Sequence, residues 1–138
     1  MEQKSRNNLL AAYYILNSAQ KEQVCCASVH CSYYAVFQYM KYIVAHLKIG
    51  AISYDDQDEI CYGEDSHEII LSKIRDSLAN INPKKQRDLL ESVRCLKRQR
   101  VSADYSQEPF SLVDCLEIKQ NAESLISKLK SYFNNKVA

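Results

Sequence analysis

The sequence predicts an all-α protein, an up-and-down bundle of about five helices, and three observations predict it. Gly and Pro are scarce, at two each in 138 residues, whereas sheet proteins use such residues freely in tight turns. Apolar residues recur at spacings of three and four, the period of one helical face. Three starts carry capping residues, at Asp65, at Asn82 and at Ser111, and such residues satisfy the free N–H groups of a first helical turn. A composition of 46% hydrophobic and 25% charged residues excludes disordered and fibrous chains. The length suits one domain over 1–138, because a chain of this size buries a single core.

The elements follow in order. Leu9, Leu10, Tyr13 and Leu16 share a face and predict a first helix from about Lys4 to Ser18. From Val24, the set Cys26, Val29, Tyr33, Val36, Phe37, Met40, Val44 and Leu47 steps helically, with Ala35, Tyr39 and Tyr42 on other faces. A helix apolar on several sides is a central one, and Gly50 is placed to stop it. Residues from Gly50 to Asp65 have no helical period and predict an irregular acidic loop at about 50–65. Asp65, with Glu68 three residues on, opens a helix whose Ile70, Ile74, Leu78 and Ile81 face inward. Asn82-Pro83 starts the next, with Leu89, Leu90, Val93 and Leu96 as its buried stripe. After Pro109, Ser111 with Asp114 caps a last helix defined by Val113, Leu116, Leu125, Ile126, Leu129 and Phe133.

Location and ligand chemistry are narrowed next. The opening MEQKSRNNLL lacks the apolar run of a secretion signal, and no stretch reaches about 18 apolar residues, the length of a membrane span. A cytoplasmic protein without membrane contact is expected. Cys25, Cys26, Cys31, Cys61, Cys95 and Cys115 include no C-x-x-C pair. They are expected as small reduced hydrophobes rather than metal ligands, with no cofactor. Charge is uneven: 51–68 carries Asp55, Asp56, Asp58, Glu59, Glu64, Asp65 and Glu68 without a Lys or Arg, whereas 84–100 is basic. Such polarity serves a partner or two solvated surfaces.

Two stretches resemble a known helical family. His30-Cys31-Ser32-Tyr33-Tyr34-Ala35-Val36-Phe37-Gln38 is similar to the S-x-Y-Y-A-x-F pattern of the HEPN domain (higher eukaryotes and prokaryotes nucleotide-binding), in its second helix. Arg100-Val101-Ser102-Ala103-Asp104-Tyr105 resembles the R-x-x-A-D-Y signature at the end of the fourth. Between them Ser66-His67-Glu68 looks like the element that begins the third, and the agreement runs from about Leu9 to Phe133. The resemblance implies a helical bundle that pairs into a homodimer near the fourth helices. It also implies a nucleotidyltransferase-like partner in a toxin–antitoxin arrangement, and RNA or a nucleotide as ligand.

Many members of that family are metal-independent ribonucleases whose motif is Arg followed by His four to six residues on. Here no His follows Arg94, Arg98 or Arg100, since the histidines are His30, His46 and His67. Metal-free RNA cleavage needs a base and an acid near neutrality, the range of His. Tyr105, with a reference pKa of about 10, and Asp104, near about 4, are weak substitutes. The expectation is therefore a non-catalytic binding module, with a degenerate ribonuclease or a purely structural interaction protein as alternatives. Arg94, Lys97, Arg98, Arg100 and Tyr105 are its candidate ligand-binding residues. Arg100, Asp104, Tyr105 and His67 are the candidates should chemistry occur. The structural counterpart is an Arg100–Asp104 pair one turn apart, with Tyr105 anchoring the helix end and His30 hydrogen-bonded within the bundle.

Overall fold

The computed structural model describes residues 1–18, 21–60, 65–107 and 109–138. Cys61, Gly63 and Glu64, expected in the acidic loop, lie outside the described residues. Six helices run in chain order: α1 (Glu2–Leu16), α2 (Lys21–His46), α3 (Tyr54–Ile60), α4 (Ser66–Ser77), α5 (Pro83–Tyr105) and α6 (Leu112–Phe133). They form an all-α bundle, and no strand occurs among the described residues apart from an isolated bridge between Leu47 and Val137.

α2 is the central helix, packed against α1, α4, α5 and α6. Val29, Tyr33, Val36, Phe37, Met40, Val44 and Leu47 are buried as their spacing predicts, and so are Ala35, Tyr39 and Ile43 on other faces. At the start of α2 the buried thiol is Cys25, while its neighbour Cys26 is exposed, a correction of one residue in the inward stripe. The helix ends at His46, and Gly50 follows in the left-handed region at φ 74°, where a residue without Cβ carries no penalty.

α1 packs through part of the face its large apolar residues suggest, since Leu16 is buried and Leu9 lies against the core, and through small residues beside them. Ser5, Ala12 and Leu16 are buried, while Leu10 and Tyr13 are each 51% exposed. The cause is close approach: small side chains let α1 lie near α2, and the Ser5 hydroxyl donates to the Ala35 carbonyl at 2.6 Å. Asn8 reaches Gln38 of α2 at 2.8 Å.

The loop expected at about 50–65 contains α3, so the described residues form six helices rather than five. Gln57 anchors this short helix; it is buried, and its amide donates to the carbonyls of Lys41 at 3.1 Å and Ile52 at 2.9 Å. Two turns are too short for a helical period to emerge from the sequence.

The three N-caps form as the sequence predicts, but the box expected at Asp65 is not closed, because the Glu68 carboxylate pairs with Arg94. The Asp65 carboxylate accepts from the amides of His67 and Glu68, Asn82 accepts from Lys84 at 2.8 Å, and Ser111 with Asp114 closes a reciprocal capping box. Ile70 and Ile74 of α4, Leu78 at its C-cap, and Leu89, Leu90, Val93 and Leu96 of α5 are buried. In α6 the core is reached by Cys115, Ile118, Leu125, Ile126, Leu129 and Phe133. Val113 and Leu116, expected among the apolar set of that helix, lie on its exposed side. The last residues clamp the end of α2: Lys48 donates its amide to Lys136 and Ala138 to His46.

Candidate functional site

The three stretches singled out in the sequence meet at one place between α2, the start of α4 and the end of α5. Arg100 is the centre. It is 9% exposed, and it is the one buried charged residue among the described residues. Its guanidinium carbon lies 5.5 Å from the ring centroid of Tyr33 and 5.7 Å from that of Tyr34. Both are within the range of about 6 Å over which a cation is drawn to a ring. Nη1 donates to Asp104 Oδ2 at 3.2 Å one turn later, because α5 remains helical through Tyr105. The buried Nε has no hydrogen-bond partner among the described residues.

Asp104 is shared. The same Oδ2 lies 2.9 Å from Nδ1 of His30 on α2, and the His30 ring packs on Tyr34 with centroids 4.6 Å apart. A carboxylate on Nδ1 fixes the proton there, so Nε2 keeps its lone pair or, in the cationic form, a second N–H. His30 is thus hydrogen-bonded as expected, but at the surface, with its side chain 47% exposed, rather than inside the bundle. Its part in the site is missing from the sequence reading. One available signal is position: His30 precedes Tyr34 by four residues, so both rings share a face of α2.

His67 enters from the other side, at the first turn of α4, where the Asp65 cap holds its amide. The Tyr33 hydroxyl lies 2.5 Å from His67 Nδ1, and the imidazole stacks on Phe37 with centroids 4.2 Å apart. Burial holds the His67 pKa below its ordinary value, and the nearby Lys97 and Arg100 charges add to this against the opposing pull of Asp65. Burial likewise pushes the Tyr33 phenol upward, against the attraction of Arg100. Tyr33 therefore stays protonated, and where its hydroxyl donates to Nδ1 the neutral His67 imidazole carries its proton on Nε2. Two histidines with opposite assignments consequently flank Arg100.

The other candidates divide differently. Arg94 pairs with Glu68 at 2.9 Å, Lys97 with Asp65 at 2.7 Å and Arg98 with Glu91 at 2.7 Å. The basic stretch of α5 and the acidic start of α4 thus meet each other, and two of these pairs tie the helices together. Arg94, Lys97 and Arg98, with Val101, also line a cleft of about 460 Å³ beside the pairs. Tyr105 does not anchor the helix end: it is 79% exposed, since α5 ends there with its ring turned from the core.

Among the described residues no group of three His, Cys, Asp or Glu side chains converges as a metal site requires, and no helix is long and apolar enough to cross a membrane. A forked donor held by two rings is a geometry that can receive an anion, whereas Arg94, Lys97 and Arg98 on the same helix already meet carboxylates. Comparisons with protein-family models, with curated proteins and with solved structures return no match.

Proposed function

We propose that this chain is a HEPN-like binding module that holds the phosphate of a nucleotide or of RNA at Arg100. One observation carries the reading: a guanidinium that is nine-tenths buried, with an unpartnered Nε, sits between two tyrosine rings where three separate motif stretches meet. Burying a charge is costly, and a single partly exposed carboxylate leaves donors of that fork unused. A phosphate oxygen would take the Nη donors that reach the rim, Nε itself being closed to solvent. Calorimetric titration with adenosine 3′-monophosphate tests this, with adenosine as the control. The nucleotide should bind and the nucleoside should not, and Arg100→Lys, which keeps the charge and loses the fork, should weaken binding at least about tenfold. Equal binding of nucleotide by wild type and Arg100→Lys would contradict the reading.

A second reading, metal-independent cleavage of RNA, is favoured by the histidines. The His absent after Arg100 in sequence has spatial counterparts in His30, oriented by Asp104, and His67, neutral on the far side. His30 Nε2 would take the 2′-hydroxyl proton as that oxygen bonds to phosphorus, Arg100 would stabilise charge on the phosphate, and the P–O5′ bond would break with solvent protonating the departing 5′-oxygen. RNA incubated with the protein in excess chelator should then be cut by wild type and not by His30→Ala.

The proposal includes a homodimer, a nucleotidyltransferase-like partner and a toxin–antitoxin role, all resting on the resemblance. Light scattering that gives the mass of a monomer at working concentration would remove the dimer.

A further inference from the structure

We infer that Asp104 reads the 2′-hydroxyl of a ribose, so that the site takes ribonucleotides in preference to their deoxy counterparts. This rests on the phosphate-binding reading above and names the specificity of the same site.

The difficulty that leads to it is electrostatic. A phosphate seated on Arg100 would find a like charge beside it, because Asp104 Oδ2 lies 3.2 Å from Nη1 of Arg100 and 2.9 Å from Nδ1 of His30. A ligand that is only an anion is therefore partly repelled by the group next to the cation that attracts it. A ligand that carries a hydroxyl next to its phosphate offsets part of this repulsion with a hydrogen bond to the carboxylate. An ionised carboxylate only accepts hydrogen bonds and has room for about four, while Oδ2 takes two and Oδ1 has no donor among the described residues. The 2′-hydroxyl of a nucleotide with a 3′-phosphate is such a donor, on the carbon next to the one that bears the phosphate.

The surroundings fit a sugar at this point. The side chain of Asp104 is partly open to solvent while that of Arg100 is closed in, so a ligand meets the carboxylate at the rim and the guanidinium deeper. His30 and Tyr34, packed ring to ring, border the same rim and offer an apolar surface to a sugar or base. A hydrogen bond from the hydroxyl to this charged acceptor favours the ribonucleotide over the analogue that lacks the donor. The 2′-hydroxyl is also the group by which a protein tells RNA from DNA.

The test compares adenosine 3′-monophosphate with 2′-deoxyadenosine 3′-monophosphate by calorimetric titration. Wild type should bind the ribonucleotide about tenfold more tightly, the fold expected of one hydrogen bond to a charged acceptor. Asp104→Ala should erase that ratio, so that the two nucleotides bind with equal affinity. Asp104→Asn, close to isosteric and able to accept through its amide oxygen, should retain part of the ratio, and circular dichroism of each variant checks that the bundle is intact. Equal affinity of wild type for the two nucleotides overturns this inference and leaves phosphate binding standing. Binding of neither nucleotide overturns both. Loss of binding to both nucleotides in a folded Asp104→Asn would make Asp104 a positioning residue for Arg100 and also overturn the inference.

Discussion

Asp104 holds His30 across 74 residues of sequence, with Oδ2 2.9 Å from Nδ1, and so joins the end of α5 to α2 beside the one buried arginine. The pair is partly exposed, and pairs of that kind contribute about 1 kcal/mol or less. His30→Ala should therefore shift the urea midpoint little, while removing any RNA cleavage seen in chelator. A large fall in stability would mark His30 as part of the scaffold.

His67 gives the bundle a pH dependence of definite sign. Its folded pKa lies below the ordinary value of 6.5 because of burial first, then Lys97 and Arg100. The unfolded chain thus takes up the proton before the folded one. The contribution is complete above about pH 6.5 and is lost as pH falls from there through the folded pKa. Thermal melts from pH 8 to pH 5 should show this decline, and His67→Gln should flatten it. Asp65, held below its usual range chiefly by the Lys97 hydrogen bond, acts in a lower window, at and below the carboxylate range. An unchanged slope in His67→Gln would contradict the assignment.

The packing face of α1 can be tested by contrast. Ala12 is fully buried against α2 while Tyr13 is half exposed. Ala12→Leu should cost about 1–3 kcal/mol through overpacking, and Tyr13→Ser should stay within about 0.5 kcal/mol. The reverse order in denaturant melts would restore the face that the large residues suggest.

Leu129 of α6 has no exposed surface. Leu129→Ala should lower unfolding free energy by about 2–5 kcal/mol, the transfer loss plus a cavity. Urea unfolding followed by circular dichroism measures it, and a loss below about 1 kcal/mol would place α6 outside the core.

Most of the bundle is legible in the sequence because its signals are local. α4, α5 and α6 begin at Asp65, Asn82 and Ser111, and each of these side chains accepts from its own first turn. The long apolar period of α2 marks it as central. α1 is half legible: Leu9 and Leu16 reach the core as their spacing predicts, while Leu10 and Tyr13 are exposed because small residues such as Ser5 and Ala12 do the rest of the packing. α3 is hidden because it has two turns and an amide, Gln57, as its anchor. At the site, the motifs identify Arg100, Asp104 and His67 from residue type and order. The partnership of Asp104 with His30 comes from the packing of α5 on α2, which no local pattern encodes. Arg94, Lys97 and Arg98 read as a free basic run, yet each meets a carboxylate that only the folded chain brings near.

The most direct measurement is the set of arginine Nε–H resonances in solution NMR during titration with adenosine 3′-monophosphate, with the Arg100 signal assigned from its loss in Arg100→Lys. The account predicts that the Arg100 resonance moves in a saturable way while those of the exposed Arg75 and Arg87 stay in place. A stationary Arg100 signal, or equal drift of all the arginines, would contradict it.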